Sequence, residues 1–541
     1  MEGVSQLSLQ GFLLRAYELV LIPADALPAQ IWAVLLWARE SVVVPAIKVA
    51  IVSCLVMSVM VMVEKLSVAL VSLYARLFRR RPHRIYNCEP IKEDEELGSL
   101  AFPMVLVQIP MHNEREVYQL SIRAACNMLW PTNRVIIQVL DDSTDPDIRE
   151  MVRIECEKWQ LEGKNIRYET RDNRKGYKAG ALKMGMEHDY VHNCEYLAMF
   201  DADFQPNTDF LIKTVPFLVH NPNLALVQAR WKFVNANECM LTRLQEMSMD
   251  FHFKVEQEAG STMFAFFGYN GTAGVWRIQA INDAGGWEDR STVEDMDLAV
   301  RSTLRGWSFV YTGNIKVKSE LPSTLKAYRS QQHRWSCGPA VLFKKLFWKI
   351  LSAKKVSFPM KFYLIYSFFI ARRLVAPFVT FFFYCIIIPL AVFFPEVEIP
   401  KWGIFYLPAA ITILNSVGTP SSFHLVLFWI LFENVMSLHR CKAVFVGLFE
   451  AGSATEWIVT QKLGNRSKTS ANNPIVVSKK SRAIYWERFY PLELSVAIFL
   501  SIATVYDFKF RADYFYVFFF FQSMAFFIVG FGFVGTTITK D

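Results

Sequence analysis

Five groupings in this chain have residue types and spacings that could carry out one reaction. Asp201-Ala202-Asp203 closes the apolar run Tyr196–Phe204. An apolar run that ends in polar residues reads as a buried strand. Carboxylates two apart at its end face one side by period-two alternation. They lie at a carboxyl end, where open α/β sheets bind ligands. Such an oxygen pair suits a hard cation, Mg²⁺ or Mn²⁺, beside a phosphate. A lone D-x-D is more often a solvated strand-to-loop turn, and the functional reading needs the other groupings to agree.

The other groupings point the same way. Asp141 and Asp142 end the preceding run Val135–Ser143, where a carboxylate can accept from a nucleotide base or ribose hydroxyl; the alternative is an Asx-type turn in DDSTD. Lys178, in KGYKAGAL, opens a helix whose amide groups and lysine could meet a diphosphate. Asp295, in VEDMD, stands at a helix start, where acidic residues also simply complement the helix dipole. Its functional reading is a general base that takes a proton from an acceptor hydroxyl attacking a sugar's anomeric carbon. Gln331-Gln332-His333-Arg334-Trp335 offers an arginine for a departing diphosphate and an indole to stack on a sugar, or else an amphipathic surface helix.

Strands and helices must hold these groups. Strands are expected at Met104–Pro110, Val135–Ser143, Ile166–Arg171, Tyr196–Phe204 and Ala225–Phe233. Helices are expected at Glu114–Leu129, from Pro146 to Leu161, from Gly176, at Cys239–Ala259 and at Val293–Gly306. That alternation implies a mainly parallel sheet covered on both faces.

The flanks read differently. The chain has 541 residues, is 53% hydrophobic and carries 45 Phe, too apolar for an ordinary soluble domain. Val43–Met62 is long and apolar enough for one span, with Arg76, Arg79, Arg80, Arg81 and Arg84 as its basic flank rather than a nucleic-acid site. Further spans are expected at Leu374–Phe394, Ile404–Val417, Leu492–Val505 and Tyr514–Phe533, with Arg440–Trp486 a polar loop. The domains expected are therefore 1–84 with one span, 85–350 catalytic, and 351–541 with about four spans and a loop near 440–486. The nine scattered cysteines contain no C-x-x-C, which argues against a zinc module or a disulfide framework. A transporter fits the spans but not the acidic α/β domain, and a silent scaffold does not fit intact acidic positions.

In order, Asp142, Asp201-Ala202-Asp203, Asp295 and Gln331-x-x-Arg334-Trp335 resemble the D, DxD, D, QxxRW signature of processive family 2 glycosyltransferases, which include cellulose, chitin and hyaluronan synthases. Val293-Glu294-Asp295 stands where Thr-Glu-Asp is usual. Trp457–Lys462 resembles the FxVTxK gating loop of cellulose synthases, with Trp for Phe. QVLDDSTD, RKGYKAGAL, YNGTAGVWR and TVEDMDLAVR look most like the plant cellulose synthase-like A group.

That resemblance implies an α/β GT-A-like domain inserted between transmembrane helices of a multi-pass Golgi membrane protein. It implies an inverting, metal-dependent synthesis of β-1,4-mannan or glucomannan from GDP-mannose and GDP-glucose onto a growing β-1,4-polysaccharide. The alternative is a β-1,4-glucan synthase of the sister C group. Asp142 and Asp295 take the catalytic positions. Asp141, Lys178, Asp201, Asp203, Gln331, Arg334 and Thr460 take the donor, Trp335 the acceptor, and Asp201 and Asp203 the Mg²⁺ or Mn²⁺. Membrane lipid is an expected partner and nucleic acid is not; self-association or association with a sister chain is left open. A gating loop over the nucleotide requires an even number of crossings between Trp335 and Trp457. That gives five spans in all, with Phe423–Phe432 not an independent crossing.

Overall fold

The computed structural model describes residues 27–78, 80–93, 96, 98–288, 293–416, 420–450, 489–511 and 514–535. Seven strands form one sheet: β1 Val105–Met111, β2 Val135–Asp141, β3 Ile166–Thr170, β4 Tyr196–Met199, β5 Leu224–Phe233, β6 Gly274–Arg277 and β7 Ser308–Ser319. Their spatial order is β3-β2-β1-β4-β6-β5-β7. Only β6 runs antiparallel, paired with β4 and β5. The sheet is thus the mainly parallel one expected, completed by β6 and β7, which the sequence reading did not assign. β6 is four residues long and too short to display a period.

Side-chain alternation divides the core between the two faces of the sheet. Val105, Val107 and Ile109 pack on one side, and Leu106 packs on the other with Leu197, Trp276 and Phe309. The chain leaves β1 for β2 on one side and β4 on the other. This reversal opens a crevice at the carboxyl ends, where ligands bind in open α/β sheets.

Among the helices, α1 is Val44–Leu77, α2 Tyr177–Met186, α3 Met240–Phe251, α4 Glu294–Leu304, α5 Leu325–Ser352 and α6 Val426–Phe449. At 34 residues α1 is roughly 50 Å long, well beyond a bilayer's hydrocarbon core. Its second half lies along the α/β domain. Lys65 Nζ pairs with Glu256 Oε1 at 2.9 Å, and Arg76 Nη2 with Glu258 Oε2 at 2.8 Å.

Four segments among the described residues are long and apolar enough to cross a membrane: Ile31–Ile85, Phe358–Ala391, Ser422–Phe449 and Pro491–Phe510. Trp402–Asn415 and Phe515–Gly530 are shorter apolar helices. Phe423–Phe432, read from sequence as no independent crossing, instead begins the long segment Ser422–Phe449. Arg440 lies inside α6, so the polar loop expected from Arg440 cannot begin before Phe449. The charge that suggested a loop is neutralised within the helix, because Arg440 is paired with Glu433.

Candidate active site

The donor-side wall begins at the end of β2. Asp142 sits just past the strand, 7% exposed, and accepts from Arg171 Nε at 2.6 Å and from Nη2 at 2.5 Å. Arg171 follows β3, the neighbour of β2, and also donates to Tyr177 O at 2.6 Å. It therefore ties the strand ends to the start of α2. Asp141 is turned away: its carboxylate accepts from Ser143 N–H at 2.9 Å and from Tyr168 Oη at 2.9 Å. Asp142 borders a cavity of about 190 Å³, together with His112, Glu114 and Arg174; Asp141 does not. His112 Nδ1 donates to Asp142 O at 2.8 Å, and burial lowers the imidazole's pKa.

The centre of this cavity is the Asp201–Asp203 segment. β4 ends at Met199, so the two carboxylates converge through the turn that follows it and not through strand alternation. Lys178 Nζ donates to Asp201 Oδ1 at 2.5 Å and to Gly271 O at 2.9 Å, and lies 3.7 Å from Glu294 Oε1. Burial opposes the charge on Lys178, but Asp201 and Glu294 outweigh it and raise its pKa above the ordinary lysine value. Asp203 Oδ2 accepts from Ser319 Oγ, at the end of β7, at 3.1 Å. Asp201 and Asp203 both line the cavity. No group of three or more His, Cys, Asp or Glu side chains suited to a metal occurs among the described residues. Two carboxylates are the oxygen donors that a hard divalent cation would use.

Asp295 stands in the first turn of α4, half-buried, with Oδ1 accepting from Met296 N–H at 2.7 Å. Burial raises the pKa of Asp295 and of its neighbour Glu294, against the opposing pull of Lys178. Gly271 lies against the other oxygen: it has φ +77°, and a Cβ there would come 2.9 Å from Asp295 Oδ2. Val293 presses on Gly338 of α5, where a Cβ would come 2.4 Å from Val293 Cγ1. The valine in place of threonine is thus a packing residue between α4 and α5.

Thr324 caps α5, its Oγ1 accepting from Ala327 N–H at 3.3 Å. Gln331, Arg334 and Trp335 share one face of α5 by their spacing, and all three line the donor-side cavity. Arg334 feels Glu294, Asp201 and Asp295, which partly offset the lowering of its pKa by burial. Gln332 points elsewhere and accepts from Arg440 Nε of α6 at 2.8 Å.

A larger cavity of about 550 Å³ begins at Asp295, Gln331 and Trp335 and continues between the apolar helices to Arg373, Tyr384 and Trp429. Asp295, Asn270 and Trp335 border both cavities. Thr460 and the gating-type motif Trp457–Lys462 lie outside the described residues. Trp287 is buried in the core, and Gly274 opens β6. Sequence reasoning did not single out Arg171, Ser319, Asn270 or Arg440. Of these, only Arg171 had a usable signal, a basic group at a strand end beside Asp141-Asp142.

Residues 106–272 match the model described as Glycosyl transferase family 2, and residues 196–397 match Glycosyl transferase family group 2. The chain is 60% identical over 504 residues to Glucomannan 4-beta-mannosyltransferase 1 of Oryza sativa subsp. japonica, covering 93% of this chain and 96% of that one. It is 58% identical over 515 residues to Glucomannan 4-beta-mannosyltransferase 9 of Arabidopsis thaliana, covering 95% and 96%. A solved mannosyltransferase from Pyrobaculum calidifontis, in complex with GDP-Man and Mn²⁺, gives a TM-score of 0.47 at 16% identity, over 73% of this chain and 99% of that one.

Proposed function

The chain belongs to the glucomannan 4-beta-mannosyltransferases of glycosyl transferase family 2, and from that premise we propose how its own residues perform the transfer. It is a hexosyltransferase that extends a mannan or glucomannan backbone. The donor we assign is GDP-mannose, with GDP-glucose as the second donor, and the acceptor is the growing β-1,4-linked chain in a Golgi membrane.

The observation that carries the mechanism is the position of Asp295, whose side chain borders both the donor-side cavity and the cavity between the apolar helices. A sugar nucleotide in the first cavity and a polymer end in the second would meet at this carboxylate. Asp295 takes the proton of the acceptor 4-hydroxyl as that oxygen attacks C1 of the donor sugar. The bond from C1 to the diphosphate oxygen breaks, GDP leaves with the electron pair, and one in-line displacement converts an α-linked donor into a β-linkage. The raised pKa of Asp295 makes it a stronger base than a solvent-exposed aspartate.

Arg334 presents a fork of N–H donors to the departing diphosphate. Trp335 stacks on the terminal acceptor sugar and tolerates the alternating faces of a β-1,4 chain. Asp142 reaches the nucleotide with its orientation fixed by Arg171. Lys178 orients Asp201 and holds the Gly271 loop against Asp295. Asp201 and Asp203 would hold Mg²⁺ or Mn²⁺, which would neutralise charge developing on the diphosphate.

The test is polymer synthesis by the purified full-length protein from labelled GDP-mannose, GDP-glucose or UDP-glucose, with Mn²⁺ or Mg²⁺ and with chelator. We expect a metal-dependent, β-1,4-mannanase-sensitive product from GDP-mannose. Polymer from a glucose donor alone would replace this reading with the glucan synthase one.

A further inference from the structure

Arg372 and Arg373 stand together where the segment Phe358–Ala391 meets the larger cavity, but only one of them is paired. Arg372 Nε binds Glu64 Oε1 of α1, and Ser367 Oγ donates to the same oxygen at 3.2 Å. Glu256, the next acid, is held by Lys65 at 2.9 Å and by His252 Nδ1 at 3.0 Å. Arg373 makes no hydrogen bond or ion pair among the described residues, and its Nε–H is buried without a partner. The ring of Phe368 lies 5.9 Å from its guanidinium carbon, which cannot satisfy five N–H donors. Arg373 is half-buried and lines the cavity, so its remaining N–H donors are open to whatever occupies that cavity.

The cavity indicates what that occupant is. Its other charges are matched: Glu256 is paired with Lys65, Glu433 with Arg440 and Arg372 with Glu64. Asp295 stands in the same lining as Arg373, so the cavity has no excess of positive charge to gather an anion such as a lipid phosphate. The aromatic residues Tyr384 and Trp429 line it together with hydrogen-bonding groups such as Asn434. Flat rings beside polar groups suit an uncharged ligand with apolar faces and hydroxyl edges, which is a sugar chain.

We propose that Arg373 grips the acceptor chain: its guanidinium donates to hydroxyl oxygens of a β-1,4-linked sugar lying behind the terminal unit stacked on Trp335. This inference rests on the reading that the polymer end occupies this cavity. A planar fork can reach two hydroxyls of one sugar at once, whereas a lysine offers one point of contact.

The test uses the full chain in lipid nanodiscs with GDP-mannose as donor and mannohexaose as acceptor. Arg373→Gln should raise the KM for mannohexaose about tenfold, through loss of charge-assisted hydrogen bonds. The KM for GDP-mannose and the release of GDP without acceptor should stay unchanged. Arg373→Lys should recover part of the loss. An unchanged mannohexaose KM, or an equal rise in the donor and acceptor KM values, would overturn the proposal in favour of a structural arginine.

A second measurement needs neither a variant nor turnover. An arginine-selective dicarbonyl should modify Arg373 in the wild-type protein, and mannohexaose should protect it. Modification at the same rate with and without mannohexaose counts against the proposal. A wild-type protein that makes no polymer from GDP-mannose would instead count against the functional reading, which the first wild-type assay reports separately.

Discussion

Replacing Gly271 by alanine tests the placement of the general base without touching its chemistry. Gly271 holds φ +77°, and an added Cβ would lie 2.9 Å from Asp295 Oδ2 and 3.5 Å from its Cγ. The left-handed backbone costs an alanine about 1–2 kcal/mol. The contact is also shorter than packed atoms accept, so Asp295 must swing away by a few tenths of an ångström. Displacing a reacting group by a full ångström can cost about 100-fold, so about a tenfold loss in kcat is expected here. Gly163→Ala supplies the control. Gly163 has φ +82° and nothing within 4 Å of the added Cβ, so it bears the same strain away from the site. The assay is initial-rate polymer formation from labelled GDP-mannose, with thermal melting of each variant. Both variants should lose similar stability, and only Gly271→Ala should lose kcat. Equal kcat in the two would refute the placement of Asp295 as base.

Further outcomes follow from the site. Burial raises the pKa of Asp295, and only its ionised form can accept a proton, so kcat should fall as pH drops through a value above the usual aspartate range. A pH–rate profile with its acid limb at an ordinary carboxylate pKa would contradict this, and Asp295→Asn should abolish transfer while leaving donor binding measurable by calorimetry. Arg171→Met would leave the buried Asp142 carboxylate without its bidentate partner, lowering stability by about 3 kcal/mol and weakening GDP binding. Arg171→Lys should restore only part of either, as read by denaturant melts and GDP titration.

Local features made much of this molecule legible in its sequence. Four of the first five strands carry apolar runs, β3 instead sets Ile166 and Tyr168 between polar residues, and helices long enough to show their own period alternate with them. The carboxylates were legible because they fall where such runs stop. β6 and β7 were not assigned: the four residues of β6 carry no period, and in β7 the apolar start Phe309–Tyr311 is separated by Thr312-Gly313-Asn314 from the alternating stretch Ile315–Ser319. α6 was misread for the opposite reason. Arg440 was read as the start of a loop, but it is neutralised by Glu433, seven residues earlier on the same helix.

The sequence by itself therefore determined the class of fold, the apolar flanks and the residue types available for transfer. These depend on burial and periodicity, which are written along the chain. The tertiary structure decided which acid faces which cavity. Asp141 and Asp142 are neighbours in sequence, yet one is held by Ser143 and Tyr168 while the other faces the pocket with Arg171. Arg372 and Arg373 are likewise neighbours, but only Arg372 meets Glu64, more than 300 residues away. Adjacent side chains on a helix or just past a strand point in different directions, so their partners are fixed by the packing of distant elements and not by spacing.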